Sequence, residues 1–140
     1  MLNRANICRV ANSLRTKGYT LSQAFRMAWK LYKNKALVKV AGVSKGNRQT
    51  AIRHLAKYAA ESIKITLIRE ITNIFDSNAI AVYVSVNNSK AYKMGYLQAH
   101  IAKILSGVID NITEINASLK AVTGGLYEDM MCGLKLSLSI

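Results

Sequence analysis

The chain has 140 residues, 51% of them hydrophobic, which suffices for one folded domain and argues against intrinsic disorder. No apolar run approaches the ~20 residues of a membrane span. The formal net charge is +13, and its excess lies in residues 1–60, which hold 13 Lys and Arg and no Asp or Glu, while residues 61–140 hold 7 of each sign. A segment with positive charge alone predicts a polyanionic partner such as nucleic acid. Each contact with a phosphate releases counterions, which favours binding irrespective of the base sequence.

Residues 1–36 are predicted to form a basic helical hairpin. The first apolar run at helical spacing ends at Gly18, and the second opens on a capping box, Thr20-Leu-Ser-Gln23. We expect the hairpin to pack on the rest of the chain and to contact either DNA or a protein partner. A helix-turn-helix reader of duplex DNA is a third possibility.

Residues 37–140 alternate strand and helix patterns. Strands are predicted at residues 37–43, 63–69, 79–86, 93–97, 115–122 and 133–140, and helices at residues 48–60 and 100–108. The whole order is α-α-β-α-β-β-β-α-β-β. Short strands joined by tight turns predict an α+β fold, with a small, mostly antiparallel barrel and helices on its side.

Three stretches of the chain together resemble the HIRAN domain family. They are KVAG at 39–42 with NRQ at 47–49, LIRE at 67–70 running into NIFDSNAIAV at 73–82, and MGYL at 94–97 followed by Ile101-Ala102. The resemblance covers residues 37–140. It implies an OB-like or SH3-like barrel, without cofactor or metal, that binds single-stranded DNA and captures its free 3′ end. Nucleic-acid contacts are then expected at Lys45, Arg48, Gln49, Asn73, Phe75, Asp76, Tyr96 and Tyr127.

The residue types fit those contacts, and each also has a structural alternative. Phe75 in a polar turn would stack on a base, which contributes about 1–3 kcal/mol, or plug the barrel. Asp76 beside phosphates would accept a hydrogen bond from a 3′-hydroxyl, or form an Asx turn, an alternative that Asn73 shares. Arg48 at a loop-to-helix junction would hold a phosphate, helped by Lys45 and Gln49, or stand exposed.

The chain also departs from the family pattern at three places. Ile74 stands for the usual proline of the turn, and Phe75 stands for the usual tyrosine, which removes a hydroxyl but keeps the ring. After Gly95-Tyr96-Leu97, where the family usually has a basic residue, this chain has Gln98, Ala99 and His100. One phosphate contact is therefore expected to differ.

Catalytic patterns are absent from the sequence. The carboxylates form no evident metal-binding set, the two histidines lack a nucleophile pattern, and there is no P-loop or GxGxxG. The two cysteines, Cys8 and Cys132, form no disulfide framework and fit a reducing, cytoplasmic location. We therefore expect a non-enzymatic DNA-binding module. The alternative is a structural or assembly protein, of a viral or mobile-element kind and even virion-associated, that coats nucleic acid or docks partners through residues 1–36.

Overall fold

The computed structural model describes residues 4–33, 36–111, 115–124 and 132–139. Its helices and strands follow the predicted order. The helices are α1 (Arg4–Thr16), α2 (Leu21–Tyr32), α3 (Arg48–Leu55) and α4 (Ala99–Asn111), with a short 3-10 turn at Ala60–Ser62. The strands are β1 (Ala36–Ala41), β2 (Ile63–Arg69), β3 (Ile80–Val86), β4 (Tyr92–Leu97), β5 (Asn116–Gly124) and β6 (Cys132–Ser139).

The six strands form a closed antiparallel barrel in the order β1-β4-β3-β2-β5-β6. Closure depends on β1, which pairs with β4 on one side, where Val40 lies opposite Leu97, and with β6 on the other, where Val38 lies opposite Leu136. Buried side chains recur at alternate positions of β1 (Val38 and Val40) and of β6 (Leu134, Leu136 and Leu138), as period-two patterns require. The predicted small antiparallel barrel with flanking helices is confirmed.

The N-terminal hairpin has the predicted start of its second helix. Gly18, at a φ of 98°, follows α1. The capping box is complete, because the Thr20 side chain accepts a hydrogen bond from the Gln23 backbone (3.2 Å) and the Gln23 side chain accepts one from the Thr20 backbone (3.1 Å). Leu14 of α1 and Leu31 of α2 are buried in the same core as Leu138 of the barrel. The hairpin therefore covers the barrel with its apolar face.

Helix α3 is shorter than the sequence pattern suggested. It was expected to continue to residue 60 but ends at Leu55. Ile52 and Leu55 face the core, whereas residues 56–59 are all exposed, so another helical turn would bury no apolar surface. The chain instead tightens through a hydrogen bond from the Tyr58 amide to the Leu55 carbonyl (3.1 Å) and turns toward β2.

Candidate nucleic-acid interface

An open cavity of about 660 Å³ lies where the start of α3, the loop at residues 70–79 and the end of β4 meet. It brings together residues that are far apart in the sequence. The predicted contact residues that line it are Lys45, Arg48, Asn73, Phe75, Asp76 and Tyr96. Gln49 does not line it, and Tyr127 lies outside the described residues.

Phe75 stands at the tip of the loop and faces solvent. Its side chain is 92% exposed, and its neighbour Ile74 is 88% exposed. The alternative interpretation, in which the ring plugs the barrel, is therefore wrong for this structure. A large apolar ring left in water gains free energy from any flat apolar partner that covers it.

Asn73 and Asp76 shape the backbone on both sides of this ring. The Asn73 Oδ1 atom accepts hydrogen bonds from the amides of Phe75 (2.9 Å) and Asp76 (3.0 Å), and Asp76 Oδ1 accepts one from the Asn78 amide (2.9 Å). These are Asx-type turns, which short polar side chains favour. Asn73 therefore organises the loop. Within the described part of the chain, the second carboxylate oxygen of Asp76 makes no hydrogen bond, so Asp76 keeps an acceptor beside the cavity.

Arg69, at the end of β2, fastens the far end of the loop. Its Nε and Nη2 atoms donate to the Asp110 carboxylate of α4 (3.1 and 3.0 Å), and Nη1 donates to the carbonyls of Ser77 (3.0 Å) and Ala79 (3.1 Å). Such a bidentate pair fixes direction as well as distance. Arg69 was not among the predicted contact residues, although it belongs to the Arg-Glu motif at the end of a predicted strand.

Glu70, Lys93 and Tyr96 form a polar cluster beside the cavity. Lys93 Nζ lies 2.7 Å from Glu70 Oε2, and the Tyr96 hydroxyl donates to Glu70 Oε1 (2.9 Å). The hydrogen bond from Lys93 holds the pKa of Glu70 below its ordinary value, and the same bond raises the pKa of Lys93. Glu70 is thus paired, which lowers its repulsion of a nearby phosphate.

Tyr96 is consequently less open to a ligand than Phe75. Lys93 Nζ contacts the Tyr96 hydroxyl and lies 4.4 Å from the centre of its ring, in cation–π geometry. The hydroxyl is therefore occupied by the protein. Lys93 was not among the predicted residues. Its three-residue spacing from Tyr96 gave no sign of this contact, because side chains three residues apart face opposite ways in a regular strand. Here a register shift at Met94 places Lys93 and Tyr96 on the same face of β4.

Arg48 begins α3 with its side chain held in place. Its Nη1 atom donates to the Gly42 carbonyl (2.7 Å), and its backbone amide bonds the Lys45 carbonyl (3.3 Å). Arginine carries five N–H donors, so most of the guanidinium remains available for an anion in the cavity. Lys45 is exposed in the adjoining loop. The two cations therefore line one wall of the cavity.

Gln49 has a different environment from its neighbour. Its Oε1 atom accepts from the Cys132 amide (2.7 Å), and its Nε2 atom donates to the carbonyls of Cys132 (2.9 Å) and Val43 (3.0 Å). The amide thus joins α3 to the start of β6, and this geometry favours a structural role over DNA contact. No local pattern could reveal it, because Cys132 is 83 residues away in sequence.

Neither a metal centre nor a membrane span is found in the part of the chain that the structure describes. No group of three or more His, Cys, Asp or Glu side chains lies close enough together there to hold a metal ion. None of its helices is both long and apolar enough to cross a bilayer.

The sequence and structure were compared with protein families and with known proteins. Residues 33–139 match the HIRAN domain family, whereas the search of curated proteins gave no significant match. Among solved structures, a protein from Lactobacillus plantarum is 18% identical, with a TM-score of 0.48 over 74% of this chain and 92% of its own. The HIRAN domain of human HLTF is 19% identical, with a TM-score of 0.42 over 74% of each chain. Because the family match spans well over half of the sequence, the chain belongs to the HIRAN domain family.

Proposed function

We propose that this protein binds single-stranded DNA and captures its free 3′ end, without catalysis. Family membership supports DNA binding in general. The observation that carries the finer proposal is the position of Phe75, 92% exposed, next to the Asp76 carboxylate at a cavity that Lys45 and Arg48 also line. A stacking ring, a hydrogen-bond acceptor and two cations are the groups that a terminal nucleotide needs.

Each group has a separate task in this proposal. The Phe75 ring stacks on the terminal base, which is insensitive to base identity because every base has a π-face. Asp76 accepts a hydrogen bond from the 3′-hydroxyl through the oxygen that the Asx turn leaves available. Arg48 and Lys45 hold the phosphate that joins the last two nucleotides. The carboxylate rejects strands that end in phosphate, because two negative charges in close contact repel.

The test compares oligonucleotides that end in a 3′-hydroxyl or a 3′-phosphate, by fluorescence anisotropy at two salt concentrations. We expect the blocked end to bind at least tenfold more weakly to the wild-type protein. The matched variant is Asp76→Asn, which keeps the side-chain oxygen that caps Asn78 but removes the negative charge. It should bind both ends with similar affinity. Equal binding of both ends by the wild type would overturn end capture.

A further inference from the structure

A second groove lies next to the candidate site, on the outer side of α3. Its volume is about 680 Å³. Neither the sequence motifs nor the candidate site accounts for it. The residues that line it are Asn47, Thr50, Ala51, Arg53, His54, Lys57 and Tyr92.

Helix α3 and strand β4 each contribute residues to both the groove and the candidate site. Helix α3 starts at Arg48 in the site, whereas Asn47 just before it and several residues after it, as far as Lys57, line the groove. Strand β4 runs from Tyr92 in the groove to Tyr96 in the site. The eight residues of α3 span about 12 Å, and the four residue steps along β4 span about 13 Å. The groove and the candidate site are therefore neighbours, with Tyr92 about 13 Å from Tyr96 along β4.

The groove has the chemistry of a surface for single-stranded nucleic acid. Arg53 and Lys57 are its cations, and none of the Asp and Glu side chains that the structure describes lines it. Its rings are Tyr92, which is 45% exposed, and His54, whose imidazole Nε2 atom lies 3.2 Å from the hydroxyl of Tyr58 outside the groove. Cations that follow a phosphate backbone, interleaved with rings on which bases stack, are the recurring composition of single-strand binding grooves.

We propose that this groove binds the nucleotides on the 5′ side of the captured end, with a base stacked on Tyr92 and the backbone near Lys57. The proposal rests on the function proposed above, since it takes the end-binding cavity as the point where the strand terminates. At the 3.4 Å spacing of a stacked strand, 13 Å corresponds to about four nucleotides. Affinity should therefore rise with strand length and level off between about four and eight nucleotides.

The experiment measures the affinity of oligonucleotides of three and ten nucleotides, each with a free 3′-hydroxyl, for the wild type and for the double variant Lys57→Gln/Tyr92→Ala. We expect the variant to bind the ten-nucleotide strand about tenfold more weakly and the three-nucleotide strand as the wild type does. Unchanged binding of the short strand also shows that the cavity is still folded. The charge control is Lys120→Gln, an exposed residue of β5, which lies three strands from β4 in either direction around the barrel.

Two outcomes would overturn the groove proposal. One is an equal loss for short and long strands, and the other is no loss for the long strand. The function proposed above fails separately, because it requires the wild type to discriminate 3′-hydroxyl from 3′-phosphate at either length.

Discussion

Phe75 combines an exposed ring with a backbone that is held on both sides. Leaving such a ring in water forgoes about 1.5–3 kcal/mol of burial. The Asn73 side chain bonds the amides of both Phe75 and Asp76, so the ring's backbone is set before any ligand arrives. A preformed loop loses little conformational entropy on binding, which leaves more of the stacking energy as affinity.

Replacing Phe75 with alanine should therefore weaken single-strand binding without weakening the fold. The expected loss is about 5- to 150-fold, which corresponds to about 1–3 kcal/mol for one stacked base. Duplex binding should change far less, because paired bases are not free to stack on the ring. Anisotropy titrations with single and double strands measure both.

Ile74→Ala is the matched control for that substitution, because Ile74 is equally exposed and adjacent but not aromatic. It should change single-strand affinity little, and both variants should keep the wild-type melting temperature. An equal loss for the two variants would show that apolar area, and not a stacking ring, is what the strand contacts.

The Glu70–Lys93 pair makes stability depend on pH at both extremes. The pKa of Glu70 is lowered from 4.5 in the folded protein, so its contribution is present above 4.5 and is lost as the pH falls through the lower folded value. The pKa of Lys93 is raised from 10.5, so its contribution is present below 10.5 and is lost as the pH rises through the higher folded value.

Glu70→Gln should therefore flatten the acid limb of the stability curve. Below about pH 4.5, where the wild type loses the pair, the variant has no such pair to lose. Urea unfolding between pH 3 and pH 7 measures the slope. Glu61→Gln, at an exposed carboxylate that forms no ion pair within the described residues, should retain the wild-type slope. The same slope in all three proteins would contradict the role of the pair.

At the scale of the elements, Gly95 permits the close approach of β4 to β1. A Cβ atom on Gly95 would lie 2.2 Å from the Ala41 carbonyl oxygen and 2.8 Å from a methyl of Val40. Backbone cannot move aside as a flexible side chain can. The glycine of the Gly-Tyr-Leu motif is therefore required by barrel closure, which the sequence alone could not show.

Gly95→Ala should destabilise the protein by at least the 1–3 kcal/mol typical of overpacking, or prevent folding. Gly107→Ala in α4 is the opposite case, because its nearest added contact is 3.7 Å away and helices favour alanine over glycine by about 0.5–1 kcal/mol. Thermal unfolding compares them. A Gly95→Ala protein as stable as the wild type would show that β1 and β4 pair less tightly than described.

The outer face of α2 carries a basic stripe of Arg26, Lys30 and Lys33, all exposed. Lys33 Nζ lies 5.3 Å from the centre of the Trp29 ring, which is itself 40% exposed. Within residues 4–33 no acidic side chain opposes this charge. We expect the stripe to attract the phosphate backbone irrespective of sequence or end structure.

Changing all three residues of the stripe to Gln should lower affinity and reduce the salt slope by up to about 2, since each single-strand phosphate contact contributes about 0.7. The preference for a 3′-hydroxyl over a 3′-phosphate should stay the same. The control for total charge is a triple variant that removes three exposed lysines outside the hairpin, Lys64→Gln/Lys90→Gln/Lys120→Gln. Equal slopes for the two triple variants would argue against a special role for α2.

Local patterns predicted the elements well, and long-range contacts explain what they missed. Period-two and helical spacing placed each strand and helix to within about three residues, apart from the end of α3. The turn residues Asn73 and Asp76 were recognisable because Asx turns act over two or three residues. The roles of Gln49 and Arg69 were not, since each depends on a partner more than 40 residues away.

At the scale of the whole molecule, the hairpin and the barrel share a core. Leu14, Leu31 and Val38 surround one apolar cavity between them, together with Leu105 and Leu138. Separating the hairpin would expose this surface on both sides. We therefore expect the two parts to unfold together, although the sequence predicts a division into residues 1–36 and residues 37–140.

Trp29 gives a direct measurement, because it is the one tryptophan in the sequence and lies in α2. Its fluorescence reports on the hairpin, while far-ultraviolet circular dichroism reports on all elements. The two urea transitions should coincide. Leu14→Ala, which removes a fully buried side chain, should shift both by the same 2–5 kcal/mol. Two separate transitions would mean that the hairpin folds as an independent unit.

Closure of the barrel affects how readily copies of the protein would aggregate when many of them lie close together. Each described strand has a neighbour on both sides, and the barrel is weakest between β2 and β5, which pair only through Ile65 and Ala117. Open strand edges recruit strands from other chains and seed aggregates. Many copies gathered along one polyanion would lie at high local concentration, where open edges are most dangerous. The ring of strands therefore limits exposed strand edges to the β2–β5 seam, where we expect any strand-to-strand contact between copies to begin.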